Sequence, residues 1–353
     1  MSIQTAINSL DAPKDDLLGP VRVWLYSLAI AILAMVALGG LTRLTDSGLS
    51  ITTWKPISGI IPPLSNADWL AEFNAYKLIP EFKLQNSWMD LAAFKSIFWW
   101  EWGHRFLGRM IGFLFAVPFI VFLVQKRLSW RLAPSLGLLF VLGGFQGLLG
   151  WWMVSSGLSE RVDVSQYRLA AHLAAASLLF VSILWVARRL RPSSELAGCS
   201  RSWQLAVWAL AILVFLQIIM GAFVAGLDAG FGYNTWPLME GRFIPGGLNE
   251  MQPGWRNLFE NPLAVQFTHR MIAYTIALYA GLLFWLGARA NGLADLDGWL
   301  KLIAVLIVAQ IGLGITTLLL VVPIPLAVAH QVLAFILFGS IIAYLADMSR
   351  RAV

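Results

Sequence analysis

Glu101-Trp102-Gly103-His104-Arg105-Phe106-Leu107-Gly108-Arg109 enters a run that carries no further charge until Lys126. The segment 103–125 is long enough to cross a bilayer as a helix, which takes about 20 residues. A shadow of the same entrance returns later as Gln266-Phe267-Thr268-His269-Arg270. Composition agrees with a lipid setting: 59% of residues are hydrophobic, 12% are charged, and mean hydropathy is +0.73. A soluble domain carries roughly twice that charge. A closed β-barrel would show short alternating strands instead, and none are readable. The expected fold is an all-α polytopic membrane protein.

Eight spans are expected, at roughly 21–42, 103–125, 134–154, 166–188, 203–225, 264–288, 298–321 and 325–347. Basic residues gather between spans two and three (Lys126, Arg127, Arg131), between four and five (Arg188, Arg189, Arg191, Arg201) and after span eight (Arg350, Arg351). The positive-inside rule then puts both termini in the cytoplasm and the long loops, about 43–100 and 226–262, outside. That rule, rather than nucleic-acid binding, accounts for the net charge of +6. The start of the chain has no basic n-region and no small-residue cleavage site, so no removed signal peptide is expected. The single cysteine, Cys199, falls in a cytoplasmic loop and excludes an intrachain disulfide.

The two halves repeat. At an offset of 182, Asp46, Gly48, Thr53, Trp54, Gly59 and Pro63 fall on Asp228, Gly230, Thr235, Trp236, Gly241 and Pro245. Further on, His104-Arg105 matches His269-Arg270, Gln146 and Gly150 match Gln310 and Gly314, and His172 matches His330. Four spans per half give both halves one orientation, a parallel repeat. The expectation is two tandem pseudo-symmetric four-helix bundles: an N-terminal half, 1–195, and a C-terminal half, 196–353. The Asp-x-Gly echoes read best as turns where the chain leaves a helix.

The chain has four histidines, two per half. His172, His269 and His330 each lie seven residues past the start of a span, roughly 10 Å deep at 1.5 Å per residue. The four carrier spans run in one direction. Two imidazoles at one depth across a bundle can bind a heme iron from both faces. A single buried histidine is more often a hydrogen-bonding residue, but four in two matched pairs favour axial ligands. Zinc or copper fits less well, because no carboxylate or thiol accompanies either pair at ligand spacing.

Arg105 and Arg270 each follow a histidine. Two readings stand: partners for heme propionates, or side chains snorkelling to headgroups. Glu101 lies three residues before His104 and so on the same helix face, where Gln266 precedes His269. A carboxylate can take a proton or stabilise a developing cation, and an amide cannot. This asymmetry assigns chemistry to the first half and a permanent redox cofactor to the second. The alternative is a helix-start carboxylate favoured by the dipole. Trp99, Trp100, Trp102, Trp151 and Trp152 fit an interfacial belt, and Trp69 to Ile97 reads as amphipathic structure on the outer surface.

FKSIFWWEWGHRFLGR, the four-helix repeat and the paired histidines resemble the heme A synthase family over nearly the whole chain. The resemblance implies a bacterial inner-membrane enzyme that oxidises a methyl group of heme O to the formyl group of heme A during terminal-oxidase assembly. It implies that His269 and His330 ligate heme B, that His104 and His172 ligate or face the substrate heme O, and that Glu101 is catalytic. Some members carry a cysteine pair in the first outer loop. Its absence here excludes a thiol–disulfide step and resembles the proteobacterial branch. The implied partners are heme O, membrane lipid, an unnamed electron donor or acceptor, the farnesyltransferase that makes heme O, and a second copy of the chain. Whether oxygen is activated at iron, or electrons are removed before water attacks, stays open.

Two other classes compete. A di-heme electron carrier linked to quinone would have equivalent halves, against the Glu101/Gln266 difference and the larger first outer loop. A transporter with a parallel repeat would have helices broken at mid-membrane, and Pro118 is the only mid-span proline.

Overall fold

The computed structural model describes residues 18–191, 200–292 and 297–349. Cys199, Arg350, Arg351, most of the segment joining the halves, and the stretch read for a signal peptide lie outside them. Eight of its helices are long and apolar enough to cross a membrane. They are α1 (Gly19–Leu44), α2 (Leu91–Val124), α3 (Leu132–Ser155), α4 (Gln166–Arg189), α5 (Arg201–Gly226), α6 (Pro262–Asn291), α7 (Gly298–Leu319) and α8 (Ile324–Met348). The described residues hold no strand beyond one isolated bridge, Met239 to Arg242. A helix satisfies its own backbone, which hydrocarbon otherwise leaves unpaired. Local chemistry sets the ends: Asp90 caps α2, Ser200 caps α5, Asn261 caps α6 and Asp297 caps α7.

Within each half, consecutive helices touch and the first meets the last: α1–α2–α3–α4, and α5–α6–α7–α8. The halves join through α4 on α5 and through α8 on α1 and α4. Helix α8 is deeply enclosed, with Phe335, Leu337, Phe338 and every residue from Ile341 to Met348 buried. Small residues let such helices approach. A Cβ on Gly339 would come within 2.8 Å of Leu184, and one on Gly226 within 2.8 Å of the Gln166 backbone.

Polar locks tie the halves at both ends. At one end, Arg188 on α4 pairs with Asp347 on α8 through both carboxylate oxygens, and Trp299 Nε1 donates to the same group at 3.1 Å. At the other, Arg43 at the end of α1 donates to Asp228 at 2.8 Å and to Asp46 at 3.3 Å. Asp46 and Asp228 are both left-handed (φ 47° and 52°), so each Asp-x-Gly turns the chain out of its helix.

Helix α2 begins twelve residues before the expected span. Its first three turns stand outside the apolar run, buried by other outer-loop elements. Phe94, Ile97 and Phe98 pack against Trp69, Phe73 and Tyr76 of helix Asn66–Tyr76. Phe73 stacks on Phe94 at 5.0 Å, and Trp69 meets Phe98 edge-on at 4.9 Å. The amphipathic segment therefore folds onto an extension of α2. Helix α2 continues through Pro118 without a break, so the broken helix that a transporter would need is not found there.

Candidate functional site

The four histidines sit on the even-numbered helices, and each lies against a glycine of the helix before it. A Cβ on Gly39 (α1) would be 3.0 Å from His104 Cε1, and one on Gly150 (α3) 3.1 Å from His172 Cε1. On Gly221 (α5) it would be 3.4 Å from His269 Cε1, and on Gly314 (α7) 2.8 Å from His330 Cε1. A Cβ at Gly39, Gly150 or Gly314 would crowd its ring, while one at Gly221 would make ordinary contact. His104 and His172 are near enough to interact electrostatically, as are His269 and His330.

Glutamines supply further contacts. Gln146 Nε2 donates to the His172 carbonyl at 2.7 Å and lies 3.1 Å from its Nδ1. Gln217 Nε2 donates to the His269 carbonyl at 3.0 Å and lies 3.1 Å from its Nε2. Gln310 Nε2 donates to the His330 carbonyl at 3.0 Å. The Nδ1 atoms of His104, His269 and His330, and the Oε1 atoms of Gln217 and Gln310, are buried without partners. Unpaired buried polar atoms are costly, and clusters of them mark a place where a ligand completes the bonding. Among the described residues no three His, Cys, Asp or Glu side chains converge on one point. Two histidines at a time fit a metal whose other ligands come from a macrocycle, and a heme meets that description.

Above His104 and His269 the two halves build the same clamp. Arg105 donates to the carbonyls of Thr53 (3.1 Å) and Ile51 (2.8 Å). Arg270 donates to those of Thr235 (2.8 Å) and Tyr233 (2.7 Å), positions that correspond at the repeat offset. Both guanidiniums donate to outer-loop backbone. Arg270 Nε is still buried without a partner.

The helix residue one turn before each arginine completes the clamp with opposite polarity. Glu101 is buried and accepts from Ser50 Oγ (2.8 Å), Ile51 N–H (2.7 Å), and Arg105 Nε (3.1 Å) and Nη2 (2.6 Å). Gln266 accepts from Arg270 (2.8 Å) through Oε1, while its Nε2 donates to the carbonyls of Ala229 (2.6 Å) and Gly232 (2.8 Å). The carboxylate thus faces donors, and the amide faces acceptors. A third arginine has no counterpart in the second half, where Tyr274 takes its place. Arg109 donates to the carbonyls of Pro56 and Lys55 at 2.8 Å and lies over Gly59.

The profile of the cytochrome oxidase assembly protein family matches residues 22–342. Curated relatives of similar length carry the name heme A synthase. The protein of Parvibaculum lavamentivorans is 50% identical over 96% of this chain and 97% of its own length. Those of Rhizobium rhizogenes (48% identical, 97% and 93%) and Allorhizobium ampelinum (52%, 92% and 89%) are comparable.

Proposed function

The chain belongs to the cytochrome oxidase assembly protein family, and on that premise we infer that it is a multi-pass membrane oxidoreductase that acts on heme O as a heme A synthase. The observation that carries the reading is sequence identity of about half with proteins of that name over nearly the full length of both chains. The four buried histidines, each seated on a glycine of the preceding helix, are consistent with that reading.

Within that activity we assign the halves. His269 and His330 would hold heme B in residues 196–353, where it supplies a one-electron redox centre. His104 and His172 would face the iron of heme O in residues 1–195. Conversion of a methyl to a formyl group with water as oxygen source removes four electrons and releases four protons. Glu101 is the proposed acceptor for one of them. Its support is chemical: it is the ionisable member of the Glu101/Gln266 pair, buried where the Ser50 hydroxyl, the Ile51 N–H and the Arg105 guanidinium meet it. Arg105 and Arg270 act as positioning residues, holding the outer loops over the two sites.

The basic clusters at one end of the bundles support cytoplasmic termini and outward-facing long loops in the bacterial inner membrane. The electron partner, the farnesyltransferase contact and self-association are proposals from the family resemblance alone.

The test is pyridine hemochrome analysis with chromatography of the purified chain, from cells with and without a heme O supply. Heme B should stay near one per chain, while heme O or heme A should appear only with supply and be lost in His104→Ala. Two heme B per chain regardless of supply, with no formyl heme, would make the protein an electron carrier.

A further inference from the structure

Three of the four seating glycines are preceded, four residues earlier on the same helix, by a glutamine that holds the same histidine: Gln146 before Gly150, Gln217 before Gly221, and Gln310 before Gly314. Glutamine and glycine lie one turn apart, so one helix face presents an amide and then a gap for the ring. At the repeat offset Gly39 corresponds to Gly221, but the residue matching Gln217 is Met35. A thioether donates no hydrogen bond and accepts only weakly.

The consequence lies at the ring nitrogens. An imidazole that ligates iron through Nε2 carries its proton on Nδ1, and that proton needs an acceptor to fix the ring plane. Nδ1 of His269 and of His330 are buried without partners, and the helix facing each offers an equally unpartnered glutamine Oε1. The Gln146 amide nitrogen lies 3.1 Å from His172 Nδ1 and that of Gln217 3.1 Å from His269 Nε2, so each amide has to turn its oxygen to Nδ1 to take the proton of a ligating ring. His104 Nδ1 is buried without a partner too, and the position on its seating helix that corresponds to Gln217 is Met35, whose Cε lies beside Gly108, one turn beyond His104. Nor does any amide brace the His104 backbone from that seat, as the others do at 2.7–3.0 Å.

We propose that the Gln-x-x-x-Gly pairs make His172, His269 and His330 firmly held axial ligands, and that Met35 leaves His104 the exchangeable one. The bond between His104 and iron is then the one that breaks when heme O enters and heme A leaves. The proposal rests on the reading of the first half as the substrate site. Gln146, Gln217, Gln310 and Met35 are positioning residues, since they act through a histidine.

Heme transfer to apomyoglobin tests this without measuring turnover. The full-length protein, purified from cells supplying heme O, is mixed with excess apomyoglobin and heme loss is followed optically. The parent should lose heme in a fast phase and a slow phase. Met35→Gln should slow the fast phase by about tenfold, the lower end of the effect of a residue that orients a metal ligand. Gln310→Met should speed the slow phase and shift the low-spin EPR signal of one heme only, which a general loss of stability would not do. A fast phase unchanged in Met35→Gln overturns the inference and leaves the substrate-site reading intact. If Met35→Gln fails to accumulate, Gln146→Met decides: it should speed first-half loss, and no change overturns the inference. A parent that releases both hemes in one slow phase overturns the substrate-site reading, and the inference with it.

Discussion

Glu101 and Arg105 are joined at 2.6 Å one helical turn apart, and together they hold the outer loop at Ser50 to Thr53. The same construction at Gln266 and Arg270 holds Ala229 to Thr235. The planar fork matters here. One guanidinium serves a carboxylate or amide oxygen and two backbone carbonyls, and the point charge of lysine cannot do so. Arg105→Lys is expected to lower retention of heme O and to open residues 50–53 to limited proteolysis, with heme B unchanged. Arg270→Lys should lower heme B retention instead. If both variants keep their heme and loop protection, the clamp is not what holds the loops.

The opposed polarity of the two clamps predicts unequal results from exchanging their residues. Gln266→Glu would set a carboxylate against the carbonyls of Ala229 and Gly232, acceptor on acceptor. Removing a buried donor in this way costs about 1–3 kcal/mol, so reduced accumulation and loss of heme B are expected. Glu101→Gln keeps the Arg105 contact and turns its amide nitrogen toward the Ser50 hydroxyl, which can reorient, and toward the Ile51 N–H, which loses its acceptor, one unpaired donor against the two unpaired carbonyls of Gln266→Glu. It should retain its hemes but form no heme A. Heme A at the parent rate in Glu101→Gln would remove the proton-acceptor role.

The eight spans were readable because long uncharged runs have no other stable use, and the paired histidines because only four occur. The first turns of α2 were not, since Phe94, Ile97 and Phe98 are buried there by Trp69 and Phe73, residues of the earlier helix Asn66–Tyr76 whose packing on α2 no local pattern gives. Helix periodicity put Glu101 on the face of His104, but its partners Ser50 and Ile51 come from a loop whose path no local pattern gives. The Met35/Gln217 correspondence was present in the repeat at the offset that aligns the Asp-x-Gly turns. It goes unseen when only Gln146 and Gln310 are compared, because its meaning depends on which helix faces which histidine.

The seating glycines form a graded series. An added methyl would meet His330 at 2.8 Å and His269 at 3.4 Å, with His104 and His172 between, at 3.0 and 3.1 Å. The last of these contacts to become tolerable is that at Gly314, and the first is that at Gly221. Gly314→Ala should therefore displace its ring and lose heme B, while Gly221→Ala should retain most of it. Hemochrome content per chain measures both. Equal loss from the two variants would mean that the glycines serve helix packing rather than the imidazoles.

Glu81 predicts a pH dependence outside the membrane. It is buried under the outer loop, where desolvation pushes its carboxyl up to about 8, the Tyr76 hydroxyl opposes the shift, and the charges of Asp46, Glu101 and Asp163 add to it. Tyr76 donates to it at 3.0 Å and receives from Asn86 at 2.8 Å. Its folded pKa lies above its ordinary value of 4.5, so between those values the folded chain holds a proton that the unfolded chain has released. Stability from this group is complete below 4.5 and is lost as pH rises through about 8, after which the slope vanishes. Glu81→Gln keeps an acceptor for Tyr76 and removes the titration. Its thermal midpoint should equal the parent's near pH 4.5 and exceed it increasingly toward pH 8. Midpoints that stay parallel across that range would mean that the carboxyl ionises at its ordinary value, with water admitted under the loop.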